Sequence, residues 1–579
     1  MGAIIENKHE WNGKKISKAI FGGLGLLLII LYGQYVMKIC TVWELGDEFG
    51  YLNNAAYLVG FNWKEVASQI GYHGFGYSII LMPLFYICDT GVELIRGVIV
   101  INDLLVFIIY VLLVSVFTKT YPDIKKNYIS IAAFLVCLNP YLMTNANKIT
   151  CEVMLTMWTL VMARCLIWAL EKNKRICFIV LGCVSAYIFF IHTRAIVVMG
   201  VMCLLMIYLG FFKKIKIGSF ISYFTTLLLF FGILYILKKY FIHFALASDM
   251  RDGQSVVNVL TGQDIFTRIV NLLNLDNIRL YICGFAARFF YLASSSGAVI
   301  IFGCIEFVKH IKRELLLEEK REAYYMCFIF MSFILTLAAS VVYSGGVGSN
   351  LAYTMYGRYY EHSSLSVMFM GYIYLFNKKQ SNTEVLASSL WIMICGLLTK
   401  TCSIYWENTN VNIDTARLAG ITHAIDCTGD FNELCLFLIL IQVFFSVIFL
   451  IMKHRTWYVG LVIVVCLCLI YKNDAKVMEN ILNVNNNAKL DVELTQFFVE
   501  NEETKICIFV DSEYQYAAYY AREQVLLYDK TLMIVEEEEL EEVQGSKYVI
   551  SYLQSPYGRK KEEKGDLVFR GDCFGIYYR

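Results

Sequence analysis

Three carboxylates, Glu44, Asp47 and Glu48, crowd one short segment, Trp43-Glu44-Leu45-Gly46-Asp47-Glu48-Phe49-Gly50-Tyr51. Side chains of this type can take a proton from an attacking nucleophile or share a hard cation. An acidic pair in a loop can also be an ordinary solvated pair, so its company matters. A polar, aromatic stretch at helical spacing follows (Asn53-Asn54-Ala55-Ala56-Tyr57), then a glycine-rich turn, Tyr72-His73-Gly74-Phe75-Gly76-Tyr77. Three cations, Lys148, Arg194 and Arg358, each stand at the edge of an apolar run in a connection that otherwise lacks basic residues. Singly, each would snorkel to lipid head groups. As a convergent trio they suit a phosphate, whose charge such donors stabilise.

The elements that must hold these residues are membrane helices. The chain has 579 residues, 58% of them hydrophobic and only 17% charged, with a mean hydropathy of +0.56; a soluble domain holds more charge. Nearly charge-free runs recur at about 19–37, 97–118, 127–145, 153–170, 176–192, 195–212, 217–237, 289–308, 323–343, 362–376, 385–399, 434–452 and 456–471, about thirteen transmembrane helices for a core of ~30 Å. The first run has no small-residue cleavage pattern and reads as a retained helix. Gly74 to Cys88 is apolar but short, and reads as lying in the interface.

Alternate connections are basic, as at Lys14/Lys15/Lys18, Lys125/Lys126, Lys213/Lys214/Lys216 and Lys453/Arg455. The positive-inside rule therefore places the N-terminus in the cytoplasm. Segments 38–96, 238–288 and 400–433 then lie outside, together with the tail and all three isolated cations. Residues 1–471 form the membrane domain. Residues 472–579 read as a small extracytoplasmic α/β domain, with strands at 505–510, 525–528, 548–552 and 567–569 and helices at 492–500 and 536–542. It shows no phosphate-binding glycine loop and no metal pattern. Most of the nineteen cysteines sit in apolar runs as small hydrophobes; Cys402 and Cys427 share an outer loop and could pair.

A single helix, an acidic pair, amphipathic helices and a glycine-rich aromatic turn, in that order, resemble the first outer loop of the GT-C glycosyltransferases. Within them the chain is most similar to the branch holding protein O-mannosyltransferases and lipid A aminoarabinose transferases. The resemblance runs to about residue 200 and returns at Tyr356-Gly357-Arg358-Tyr359-Tyr360-Glu361, which resembles a Gly-Arg-Tyr element but lacks a proline that often follows. It implies a bacterial cell-membrane enzyme that moves a sugar, with inversion, from a polyprenyl-phosphate donor to an acceptor on the outer face. It also implies Asp47 as general base with Glu48 beside it, and Lys148, Arg194 and Arg358 as donor-phosphate ligands. Tyr51, Tyr72, His73, Tyr359 and Glu361 would contact substrate, though a lone histidine beside glycines is also consistent with simple exposure. Some relatives share a divalent metal between the first-loop Asp and a second-loop carboxylate; Asp47 and Glu152 are the matching residues. Otherwise Glu152 is a helix N-terminal charge favoured by the dipole.

Two other classes fit a polytopic chain. A transporter or lipid-glycan flippase would show matching halves with broken helices; no halves are visible, and the chain holds only four prolines. A polysaccharide polymerase or ligase would keep its main loop late, at 238–288 or 400–433, with Arg251, Arg268 and Arg279 as its cations. Asp103 and His192 are ionisable groups in or beside apolar runs; Asn102 or a neighbouring helix could satisfy Asp103. No nucleic-acid partner is expected.

Overall fold

In a bilayer every main-chain polar group must be satisfied within its own segment, so the apolar runs fold as helices. The computed structural model describes residues 2–43, 45–70, 73–245, 274–316, 321–348, 350–378, 380–406, 415–428, 430–500, 505–509, 517–535, 540, 546–571 and 574–579. Nine helices among them are long and apolar enough to cross a membrane, and two bent helix pairs extend this to eleven. Arg175–Ile191 and Glu361–Phe376 are shorter, at 17 and 16 residues. Every residue of Glu361–Phe376 is buried, so this helix runs inside the bundle, away from lipid. Each apolar run read from the sequence is helical, and the protein is a multi-pass membrane protein.

Two of the runs are bent. The run at 127–145 breaks at Leu138-Asn139-Pro140, where Lys126–Cys137 and Pro140–Ala146 meet at 57°; a proline disfavours helix in the residue before it. The run at 289–308 is not one continuous span. Asn277–Ser295 and Val299–Lys312 meet at 104°, because Ser294-Ser295-Ser296-Gly297 interrupts the helix and both Gly297 (φ +57°) and Ala298 (φ +69°) turn left-handed. Gly74 to Cys88 forms two short helices, Phe75–Leu81 and Leu84–Ile87.

The last span does not stop at residue 471. Tyr458–Asn487 is one helix of 30 residues, about 45 Å long at 1.5 Å per residue, and so it projects beyond a ~30 Å core. Its projecting end reaches the start of the first long loop: Asn485 Oδ1 accepts the backbone N–H groups of Cys40 (2.7 Å) and Thr41 (2.9 Å).

The tail carries a mixed sheet of order β2-β1-β3-β5-β4, with β1 Lys505–Phe509, β2 Thr531–Val535, β3 Tyr548–Tyr552, β4 Leu567–Arg570 and β5 Phe574–Tyr578. Central β1 pairs in parallel with β2 and β3, while β5 runs antiparallel to β3 and β4. The apolar run at 525–528 is not a strand; it closes the helix Ala517–Leu526 and the turn after it. Short apolar runs are ambiguous between a strand and a buried helix end. The expected helix at 536–542 lies, apart from residue 540, outside the described residues.

This domain sits on the first loop. Trp63 Nε1 donates to Tyr528 O (2.9 Å), Tyr528 OH donates to Cys88 O (2.7 Å), and Ile534 N donates to Glu65 Oε2 (2.8 Å). Loop and tail therefore share one face of the membrane domain. Cys402 and Cys427 both carry free thiols.

Candidate active site

Asp47 and Glu48 occupy the first turn of Leu45–Val59, where the helix dipole favours negative charge. Glu152 opens the helix Glu152–Lys172. Arg194 sits in the single turn Thr193–Ala195, held at its start by His192, whose Nδ1 accepts the Arg194 N–H at 3.2 Å. Arg358 lies in a similar turn, Gly357–Tyr359. A Cβ at Gly357 would come within 2.3 Å of Glu361 Oε2 and 2.8 Å of Tyr291 Cε1, so a larger residue there must displace those side chains.

Four charges from four separate connections form one chain. Arg358 pairs through Nη1 with Asp47 Oδ2 and through Nε with Glu152 Oε1, and Arg194 Nη2 pairs with Glu152 Oε2. On its other side Asp47 Oδ1 meets His73 Nε2 at 3.1 Å. Two carboxylates and two guanidinium groups cancel, which is what permits so much charge in a buried place. Exposure differs sharply along the chain: the Glu152 side chain is 0% exposed and that of Asp47 is 44% exposed. Asp47 is therefore the carboxylate a substrate can reach. Burial by itself pushes its carboxyl pKa up, but Arg358 and His73 outweigh that and hold it below the ordinary carboxylate range.

The remaining candidates fall in different places. Lys148 is buried with its Nζ 3.8 Å from the centre of the Trp43 ring, a cation–π contact. Glu48 is 2% exposed, and its oxygens accept main-chain N–H groups from Trp43 (2.5 Å) and Ile149 (2.7 Å). It ties the first loop to the second instead of standing beside Asp47 at the open edge. Tyr51 OH is 2.9 Å from Cys151 Sγ, Tyr359 lies under Arg194 at 5.7 Å, and Glu361 Oε1 accepts from Tyr291 OH at 3.0 Å. Tyr72 and Glu44 lie outside the described residues, as do Arg251 and Arg268. Asn102 does not satisfy Asp103: its Oδ1 accepts from Tyr77 OH (2.8 Å) and its Nδ2 donates to Lys148 O (2.7 Å).

No family model matches the chain, and no curated protein matches it in sequence. Its likeness to known proteins is three-dimensional. The fold is similar to that of ArnT. ArnT from Cupriavidus metallidurans bound to undecaprenyl phosphate superposes with a TM-score of 0.50 at 9% identity, over 96% of this chain and 97% of ArnT. The apo state of ArnT gives 0.49 at 10% identity over the same shares. An oligosaccharyltransferase of Archaeoglobus fulgidus gives 0.45 at 11% identity, over 94% of this chain and 70% of that one. The likeness to ArnT spans the membrane domain and the tail together.

Asp47 and Glu152 are brought together, but the group between them is the Arg358 guanidinium. A hard divalent cation takes six to eight oxygens, and among the described residues no cluster of three His, Cys, Asp or Glu side chains could hold a metal. Both carboxylates are paired with arginine in this arrangement. Cys151 and Tyr291 escaped the sequence reading. Cys151 Sγ donates to Glu152 Oε2 at 3.2 Å and carried no signal beyond adjacency, while Tyr291 lies in an apolar run far from Glu361 in sequence.

Glu152 is the keystone of the charge chain, so Glu152→Gln leaves Arg194 without its carboxylate and Arg358 with one only. Breaking a buried pair in this way costs roughly 3–5 kcal/mol. The apparent Tm of the purified variant in detergent is expected to fall well below that of the parent protein. A wild-type Tm would show that the cluster contributes nothing to folding.

Proposed function

We propose that this protein is an inverting glycosyltransferase that moves a sugar from a polyprenyl-phosphate donor to an acceptor hydroxyl on the outer face of the membrane. The observation that carries the reading is the joining of Asp47, Arg358 and Arg194 through Glu152 at one end of the bundle. It stands on a fold similar to that of ArnT, whose structure holds undecaprenyl phosphate. The basic connections at Lys125/Lys126, Lys213/Lys214/Lys216 and Lys453/Arg455 join helices at their far ends. By the positive-inside rule those ends are cytoplasmic, and Asp47 and the tail domain face outward.

An acceptor hydroxyl has a pKa far above neutrality, so a positioned base must take its proton as the oxygen attacks the anomeric carbon. Asp47 fills that role as the exposed carboxylate. The bond between the anomeric carbon and the phosphate oxygen breaks on the opposite face of the sugar, its electron pair staying on the phosphate. Phosphate charge rises from about −1 in the diester toward −2 in the leaving group. Arg358 and Arg194 meet that growing charge, which favours the transition state over the ground state. The resting Arg358–Asp47 pair has a second consequence. When the donor phosphate draws Arg358 to itself, Asp47 loses its strongest acidifying neighbour and becomes a better base. Lys148, stacked on Trp43, adds positive potential from the second loop, and Glu48 holds the two loops together. Of the expected sugar contacts, Tyr359 is partly exposed and can meet the sugar directly, while Tyr51 and Glu361 are buried and act through their neighbours.

The proton-transfer role has a pH signature. Asp47 is held below the ordinary carboxylate value of about 3.9, so it stays charged as pH falls through that value and is lost only below it. kcat/KM, which reports free-enzyme groups, is expected to show no acid limb from Asp47 down to about pH 5. In Arg358→Met the raising effect of burial loses its main opponent, and the acid limb of the residual activity moves upward. A limb that stays in place would overturn the coupling.

The decisive experiment is release of free polyprenyl phosphate from a panel of polyprenyl-phosphate sugars by the purified, reconstituted protein, beside Asp47→Asn. Release that depends on Asp47 is expected. No release with any donor, from folded protein, would move the assignment to polymerisation, ligation or transport.

A further inference from the structure

His73 contacts the proposed base, yet the proton transfer and leaving-group steps do not use it. Its Nε2 lies 3.1 Å from Asp47 Oδ1, an ordinary hydrogen-bond distance. A carboxylate only accepts, so this assigns the ring proton to Nε2. The other nitrogen, Nδ1, is buried without a partner and packs against Gly50. A Cβ built there would fall 2.0 Å from Nδ1 and 2.5 Å from Cγ of the ring, so the imidazole fills the space a side chain at position 50 would need. The main chain is held as well: Asn54 Nδ2 donates to His73 O at 2.8 Å. The next residues are wedged against the end of Arg175–Ile191, with Cβ positions 2.3 Å from Ile191 O at Gly74 and 2.7 Å from Ile191 N at Gly76. The turn thus has little freedom to move, and its ring is the part that reaches the Asp47 carboxylate.

We propose that His73, seated on Gly50, is a positioning residue that holds Asp47 by Oδ1 so that Oδ2 faces Arg358 in the free enzyme and the acceptor hydroxyl during transfer. The proposal rests on Asp47 acting as the base. Asp47 has one holder on each oxygen, and Arg358 is the one that the donor phosphate takes away. Without the second holder a side chain that is 44% exposed would swing, and a displacement of about 1 Å costs on the order of 100-fold in rate.

The test measures kcat and donor KM for His73→Leu, His73→Gln and Gly50→Ala, for His73→Ala with and without Gly50→Ala, and for Asp47→Asn. His73→Leu is expected to lower kcat about 100-fold with donor KM changed less than about threefold. His73→Gln keeps an N–H donor near the position of Nε2 and should recover about tenfold of that loss; a role in shape alone would treat Leu and Gln alike. Gly50→Ala, which evicts the ring, should cost as much as His73→Leu yet add little in the His73→Ala background, where the ring is gone. Should His73→Leu fail to fold, His73→Gln and Gly50→Ala carry the same comparison. Wild-type kcat in His73→Leu or Gly50→Ala, equal losses in Leu and Gln, or multiplying losses in the double variant would overturn the proposal while Asp47→Asn stays inactive. An active Asp47→Asn would instead remove the reading on which it rests.

Discussion

Asp47→Asn is expected to abolish sugar transfer, lowering kcat by at least about 1,000-fold, within the range that a positioned general base supplies. The substitution is nearly isosteric and keeps an oxygen to accept from His73. Arg358 keeps Glu152 as its partner, so the fold and the remaining charge chain survive. What disappears is the capacity to take a proton, since a carboxamide is not a base near neutrality. Turnover from donor to acceptor, measured on reconstituted protein whose Tm matches the parent, checks the expectation. Normal transfer by the variant would sink the assignment of Asp47 and with it the proposed chemistry.

The second large effect belongs to Arg358. Its guanidinium reaches Asp47 through Nη1 and Glu152 through Nε, two directions at once. A lysine ammonium has the charge but not the planar fork. Arg358→Lys is therefore expected to lower kcat about 100- to 1,000-fold, the scale seen when one donor to a developing anion is removed. Donor KM should change far less, because the phosphate carries more charge in the transition state than in the bound donor. Steady-state rates over a range of donor concentrations separate the two terms. A variant with wild-type kcat and a raised KM would make Arg358 a ground-state ligand only.

The membrane architecture was legible in the sequence because it depends on a local quantity. A run of about twenty apolar residues must be a helix in lipid wherever it lies in the chain, and the basic clusters between runs alternate as the connections do. The break at Ser296–Ala298 was written there too, in Ser-Ser-Ser-Gly, but an apolar window averages over four residues. In the tail, the run at 525–528 was misplaced because a half-buried helix end and a short strand share one hydropathy pattern.

The site divides in the same way. The company of the first-loop features marked Asp47, and isolation in a connection otherwise lacking basic residues marked Arg194 and Arg358. Adjacency, however, misled at Glu48. Successive side chains on a helix point about 100° apart, so Asp47 turns to His73 and Arg358 while Glu48 turns to the main chain of the second loop. His73 was legible as a candidate substrate contact beside glycines, but its seat on Gly50 and its bond to Asp47 cross 23 and 26 residues of chain and follow from no local pattern.

By itself, then, the sequence determined that this protein is a bundle of membrane helices with charged groups gathered at the helix ends, because solvation of each segment is decided within that segment. Only the tertiary structure decided that Arg358 reaches Asp47 and Glu152 across separations of 311 and 206 residues, that Glu152 is sealed between two arginines, and that the tail domain rests on the loop bearing Asp47. Those are statements about which surfaces meet, and they follow from the packing of whole helices against one another, where each side chain is one term among many.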